Sequence, residues 1–217
     1  MHSKELKMEE EMSYPDQISY LLKKYGKARY DYFLDDVSWL KSQYVSRTKE
    51  GLFCHHIDEY DIPTLSDPQI ARKHSFLHQK ADHLVYCNYL EHLLLHMKIG
   101  YDRYLRNHNE LNDPSLFSEF LTHGVIMISH EVNTLISDDG SDALWQDLCF
   151  DAIRKYLPDY PELLRDFQRR IITLYQKSES WNEEAERAMD HVRNVLCDSD
   201  YGIREDLKEE IFISGNA

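Results

Sequence analysis

The chain has 217 residues, more than one typical domain and fewer than two. Hydrophobic residues make up 42% and charged residues 29%, so the chain can bury a core and is not compositionally disordered. Because 39 acidic side chains outnumber 25 basic ones, the net charge is −14. This charge excludes a uniformly basic nucleic-acid binder, but it leaves room for a locally neutral or basic site on an acidic body.

The scarcity of helix breakers predicts a mainly α-helical fold, since the chain has only 7 Gly and 6 Pro. Apolar residues at three-to-four spacing predict a first helix over 14–45. The helical period then disappears, and the sequence predicts short strands at 52–54 and 84–87 with a proline-containing loop between them. Asn88 suits the N-cap of a helix over 89–104. Further helices are predicted over 115–136, 141–157, 160–177, 180–196 and 203–212.

Charge and pattern together divide the chain into three segments. Residues 1–48 form an N-terminal helical segment, 49–110 a small module of strands and one helix, and 111–217 an acidic helical region. The first and third segments can form one helical body into which the module is inserted. Residues 41–110 carry 9 basic and 9 acidic side chains, whereas 111–217 carry 10 and 22. We therefore expect the chemistry in the neutral module, and self-association or a protein partner at the acidic region.

Cysteine usage and hydropathy predict a cytoplasmic protein. The first thirty residues lack the apolar core of a signal peptide, and no stretch approaches the roughly 18 apolar residues of a membrane span. Four cysteines are too few and too scattered for a disulfide scaffold in a chain of this length. We expect free thiols in a reducing compartment.

Histidines are concentrated in the module, which holds 8 of the 12 within residues 41–110. His55 and His56 end the first strand, and His92 and His96 are spaced i, i+4, which places both imidazoles on one face of a helix. A third imidazole from a neighbouring strand end would complete three ligands. Such a set leaves coordination positions open, as catalytic metal sites do.

This order of a strand ending in His-His, a loop, a short strand and a capped helix with His-x-x-x-His resembles the HNH endonuclease family over residues 51–98. The family fold is two strands and one helix around a single metal ion, the ββα-metal module. Nine positions before the first helical histidine the family has Asn, where this chain has His83. The chain thus resembles an H-H-H variant, and its loop between His56 and His83 is longer than in compact members.

The resemblance implies a metal site. His55, His92 and His96 would hold one divalent cation, for which Mg²⁺, Mn²⁺, Ni²⁺ and Zn²⁺ all remain open. Asp58 or Asp82 would fix the tautomer of a liganding histidine by accepting its second ring proton.

The resemblance also implies a catalytic role for two other histidines. His56, facing the solvent beside the cation, would act as the general base that takes the proton from the attacking water. His83 would stand in for the asparagine that braces the loop and orients the base. The implied function is a metal-dependent endonuclease that hydrolyses DNA and leaves a 5′-phosphate, as a subunit working with a partner, in the manner of bacterial defence or phage-encoded systems.

A second hypothesis assigns no catalysis to the module. Cys54, Cys87, His92 and His96 would bind a structural zinc in a non-catalytic interaction protein. The donor types suit zinc, but the cysteines lack the short spacing of a zinc knuckle.

Overall fold

The structure is a computed structural model that describes residues 4–106, 121–137 and 144–175. It is mostly helical with one small two-stranded antiparallel sheet, in agreement with the predicted mainly α class. Within these residues no helix is both long enough and apolar enough to cross a membrane.

The described residues form seven α-helices and two strands, numbered here in chain order. They are α1 (Lys4–Glu11), α2 (Tyr14–Tyr25), β1 (Phe53–His56), α3 (Pro68–Ala71), β2 (Leu84–Cys87), α4 (Tyr89–Arg106), α5 (Met127–Ile136), α6 (Leu144–Ile153) and α7 (Tyr160–Tyr175). A π-helical turn, Leu121–Ile126, leads directly into α5. Short 3₁₀ turns connect the other elements: Thr48–Glu50, Ile57–Tyr60, Phe76–Gln79, Ala81–His83 and Arg154–Asp159.

The first helix ends much earlier than the sequence predicts. Gly26 follows α2 with φ of 79°, a conformation that glycine adopts without strain, and its N–H bonds the carbonyl of Leu22. Lys27 then pairs with Val85 beside β2. The prediction of a helix over 14–45 is therefore wrong beyond residue 25. Beyond Gly26, Tyr32 and Phe33 instead pack in a cluster against one face of the sheet, whereas Val37 and Leu40 are exposed.

The sheet positions its histidines by simple alternation. β1 and β2 are antiparallel, with Phe53 opposite Cys87 and His56 opposite Leu84. Because side chains alternate along a strand, His55 faces α4, whereas Cys54 and His56 point to the other face. β2 occupies its predicted range, and β1 lies slightly later than the predicted 52–54.

A reciprocal cap fixes the start of α4. The side-chain oxygen of Asn88 accepts a hydrogen bond from the backbone N–H of Glu91 at 2.9 Å. The Glu91 carboxylate accepts one from the backbone N–H of Asn88 at 2.8 Å. The predicted N-cap is confirmed. The same helix buries the stripe Leu90, Leu93, Leu94 and Met97 in a core shared with α5, α6 and α7.

The later predicted helices are partly covered by the described residues. The π-helical turn and α5 lie within the predicted 115–136, α6 within 141–157, and α7 within 160–177. The helices predicted over 180–196 and 203–212 lie outside the described residues, as does much of the acidic region. Leu6 of α1 packs in the same core as α4 to α7.

Candidate metal centre

Three predicted ligands, His55, His92 and His96, converge between β1 and α4. One ring nitrogen of each lies within 4.8 Å of the other two. The Nε2 atoms of His92 and His96 are 3.1 Å apart, and the His55 ring centroid lies 5.2 and 5.1 Å from the centroids of His92 and His96. The strand end and one helical turn thus deliver three imidazoles to one point.

A glycine allows the neighbouring segment to approach this point. A Cβ added to Gly124 in the π-helical turn would lie 2.5 Å from the Nδ1 atom of His96, closer than such atoms approach. Any other residue at Gly124 would push the turn or the imidazole away. The π-helical turn therefore packs directly on the ring that contributes a donor to the site.

The hydrogen bonds of Tyr14 define the protonation of His55. The Tyr14 hydroxyl donates its proton to the Ile57 carbonyl at 2.8 Å, so its oxygen accepts from the Nε2–H of His55 at 3.0 Å. The Nδ1 atom of His55 therefore carries the lone pair. It is buried and has no hydrogen-bond partner among the described residues.

Burial keeps all three imidazoles neutral. It lowers the pKa of His96 to about 4. Burial, together with the neighbouring imidazoles, lowers the pKa of His55 and of His92 well below the ordinary value. A neutral imidazole has one unprotonated ring nitrogen, and this is the form that binds a cation.

A buried carboxylate lies beside the imidazoles. The Oε2 atom of Glu59 is 3.4 Å from Nδ1 of His55 and 3.7 Å from Nε2 of His96. Burial raises the pKa of Glu59 to about 7, although the backbone N–H groups of Ser66 and Leu65 oppose this shift. The carboxyl group is therefore only partly ionised at neutral pH, and a cation bound beside it would favour the ionised form.

This donor set fits a divalent cation. Within the described part of the chain the buried Nδ1 atom of His55 has no hydrogen-bond partner, which is costly unless a ligand satisfies it. Imidazole nitrogens suit Zn²⁺ and Ni²⁺, and a carboxylate suits Mg²⁺ and Mn²⁺. The residues that can hold the ion are His55, His92 and His96, with Glu59 adjacent.

The alternative zinc ligands are not brought together. Cys54 packs against Tyr86 on the face of the sheet opposite His55, and Cys87 lies in a separate cluster with Leu95. Neither cysteine belongs to the two groups of candidate metal donors found within the described ranges. Burial also raises the pKa of the Cys54 thiol to about 12.

His56 lies beside the centre but is enclosed. Only 1% of His56 is exposed, so the expectation that its ring faces solvent is wrong. Its ring contacts Tyr32 at a centroid distance of 4.3 Å, and its Nε2 atom lies 2.8 Å from the side-chain oxygen of Gln79. The other nitrogen, Nδ1, is 3.9 Å from the Oε1 atom of Glu59. Burial lowers the pKa of His56 to about 4.

His83 belongs to a second histidine cluster. The Oδ2 atom of Asp58 accepts from Nδ1 of His78 at 2.6 Å and from Nδ1 of His83 at 2.7 Å. Partial burial would raise the pKa of Asp58, but these two hydrogen bonds outweigh burial and hold the pKa below its ordinary value. His83 thus braces the turn after β1 through Asp58, while Gln79 is the residue that contacts His56.

The predicted orienting aspartates do not contact the imidazole ligands. Asp58 binds His78 and His83, and Asp82 pairs with Lys27 on the surface at 3.3 Å. The proton acceptor for His55 is instead Tyr14, because α2 packs against the sheet and brings a residue 41 positions away into contact.

Sequence reasoning missed three residues of this centre: Tyr14, Glu59 and Gln79. Glu59 carried a usable signal, since it follows His55 by four positions in a short turn that returns toward the strand end. Tyr14 and Gln79 carried none, because their contacts exist only once distant elements have packed.

Comparison of the chain with protein-family models, with curated proteins and with solved structures finds no match. The resemblance to HNH endonucleases rests on the residues of the module alone.

Proposed function

We propose that this chain is a metal-dependent phosphodiester hydrolase of the HNH type that acts on DNA. The observation that carries the proposal is the convergence of three neutral imidazoles, one with a buried nitrogen that has no partner in the described part of the chain. These imidazoles come from a strand end and an adjoining helix, in the order that the HNH module has.

His55, His92 and His96 hold the cation in this proposal. A divalent cation at this point offsets the negative charge that develops on the phosphate and leaving oxygens during hydrolysis. The neutral state of the imidazoles makes them ligands without a prior loss of protons.

His56 accepts the proton of the attacking water in this proposal. The water oxygen forms a bond to phosphorus while the bond from phosphorus to O3′ breaks, and the electron pair of that bond goes to O3′. The water proton goes to Nδ1 of His56, and O3′ takes up a proton from solvent. Nδ1 is 3.9 Å from the Oε1 atom of Glu59, and the Oε2 atom of Glu59 is 3.4 Å from the candidate ligand His55.

The position of Lys41 supports the proposal that the substrate is a phosphodiester. Its side chain is exposed, and its ammonium lies 4.7 Å from the centroid of Tyr32, the ring that contacts His56. The positive charge contributes to the lowered pKa of both His56 and His92. The Lys41 ammonium beside the metal centre gives a phosphate a local positive counter-charge on a protein whose net charge is −14. Because that net charge opposes free DNA binding, we propose that a partner or a second copy delivers the substrate.

A plasmid-nicking assay with added Mg²⁺, Mn²⁺, Ni²⁺ or Zn²⁺ tests this function. We expect the wild-type chain to nick plasmid, H92A to lose both cation binding and cleavage, and H56A to retain the cation but lose cleavage. The exposed histidine variant H74A is the matched control and should cleave normally. Wild-type protein that binds a cation but cleaves no DNA would contradict the proposal, and so would full activity of H56A.

A further inference from the structure

Gln79 is fully buried and joins two segments of the loop between the strands. Its side-chain amide nitrogen donates to the Leu65 carbonyl at 3.3 Å, and its side-chain oxygen lies 2.8 Å from Nε2 of His56. A buried glutamine loses conformational freedom and needs partners for its polar atoms, and here both ends of the amide have one.

The Leu65 carbonyl determines which end of the amide faces His56. A carbonyl can only accept, so the NH₂ group of Gln79 must face Leu65 and the oxygen must face the imidazole. An amide oxygen also only accepts. Neutral His56 therefore carries its proton on Nε2 and its lone pair on Nδ1.

The lone pair of His56 is consequently on the nitrogen nearer Glu59, the carboxyl group beside the cation ligands. Nδ1 is the nitrogen that lies 3.9 Å from Glu59, whose other oxygen is 3.4 Å from His55. A proton on Nδ1 would block this nitrogen as an acceptor and leave the Gln79 oxygen facing a second lone pair. Contact with the Tyr32 ring restrains the plane of the imidazole but does not select its tautomer.

We infer that Gln79 is the positioning residue that holds His56 in the tautomer with a free Nδ1 atom. This inference deepens the proposed function, because that atom is the one that takes the proton from water. It assigns to Gln79 the orienting role that the sequence predicted for His83.

The test combines histidine ¹⁵N NMR of the full chain with cleavage kinetics. In wild-type protein we expect the His56 signals, assigned by their absence in H56A, to show Nε2 protonated and Nδ1 unprotonated. In Q79M, which keeps the length of the side chain but has no acceptor oxygen, we expect a mixed tautomer and kcat lower by roughly 10- to 100-fold, with KM unchanged. Q79E keeps an acceptor and should retain the wild-type tautomer with kcat above that of Q79M.

Q17M is the matched control, because Gln17 is also fully buried but hydrogen-bonds the backbone of Glu91. It should leave the His56 tautomer and kcat unchanged. A wild-type spectrum with Nδ1 protonated would overturn the inference whether or not the chain cleaves DNA. An unchanged kcat in folded Q79M would also overturn it. Absence of wild-type cleavage despite the expected tautomer is a failure of the proposed function, and it is recognised by the NMR result.

Discussion

Two histidine clusters lie on either side of the turn after β1, and they differ in where the ring protons are. In the first, the unprotonated Nδ1 atom of His55 faces a buried carboxyl group, and the Nε2 atoms of His92 and His96 share one hydrogen bond. In the second, His78 and His83 direct N–H groups at Asp58. The first leaves a buried nitrogen without a partner in the described residues, whereas the second is satisfied by its own hydrogen bonds.

The difference between the two clusters indicates that residue type and proximity do not by themselves make a metal site. Both clusters contain histidines with donor atoms within 4.8 Å. The tautomers separate them: Tyr14 holds the proton of His55 away from the first cluster, and the ionised Asp58 draws protons into the second. We therefore expect a cation in the first cluster and a hydrogen-bonded brace in the second.

The largest effect is expected from removal of two ligands of the first cluster. In the double variant H92A/H96A, cation affinity should fall at least about 100-fold and cleavage should fall to background, since only one imidazole remains. Isothermal titration with Zn²⁺ or Mn²⁺ measures the affinity. The matched variant H78A removes a histidine of the second cluster and should change the affinity less than about threefold. Equal losses in the two variants would remove the distinction between the clusters.

A smaller effect is expected when the charge beside the ligands is removed. E59Q keeps the size of the side chain but removes the ionisable carboxyl group 3.4 Å from His55. Cation affinity should fall about tenfold, equivalent to about 1.4 kcal/mol. The control E11Q neutralises an exposed glutamate at the end of α1 and should have no effect. An unchanged affinity in E59Q would show that the carboxylate does not contribute to cation binding.

Loss of the Tyr14 hydroxyl should weaken cation binding by altering the tautomer of His55. In Y14F, Nε2 of His55 loses its acceptor and the Ile57 carbonyl loses a donor, so we expect affinity lower by about 10-fold and a free energy of unfolding lower by about 1–3 kcal/mol. Titration and urea denaturation measure the two effects. The control Y60F removes a hydroxyl that bonds Asp102 but keeps the ring stacked on Tyr14. If Y60F weakens binding as much as Y14F, the hydroxyl of Tyr14 has no specific role.

The smallest effect concerns the second cluster. The pKa of Asp58 is below its ordinary value in the folded state, so its contribution to stability is present above the unfolded pKa of 3.8 and is lost progressively as the pH falls from there through the lower folded-state pKa. D58N should therefore be less stable than wild type by about 0.5–1 kcal/mol at neutral pH, with the difference disappearing in acid. Cation affinity should not change. Thermal denaturation from pH 3 to 7 tests the trend, which a pH-independent difference would contradict.

The parts of the fold that the sequence predicted well are those with local causes. β2 and α4 follow from a short apolar run and from an Asn88–Glu91 cap whose partners are three residues apart. The predicted helix over 14–45 was wrong because a residue pattern does not show that the chain turns at Gly26 and returns to pair with β2.

The candidate site shows the same division. The i, i+4 spacing predicts that His92 and His96 share a helix face, and the structure brings His55 to them. Tyr14 and Gln79 set the tautomers, and each is separated from its histidine partner by many positions in the sequence. Their positions depend on tertiary packing. The enclosure of the His56 ring also depends on tertiary packing, which the residue pattern does not show.

The most direct test of the cation site is an anomalous difference map from crystals of the full chain grown with Zn²⁺. We expect one peak about 2.0–2.1 Å from Nδ1 of His55 and from Nε2 of both His92 and His96, with none between Asp58 and His83. A peak in the second cluster, or none beside His55, would contradict the account.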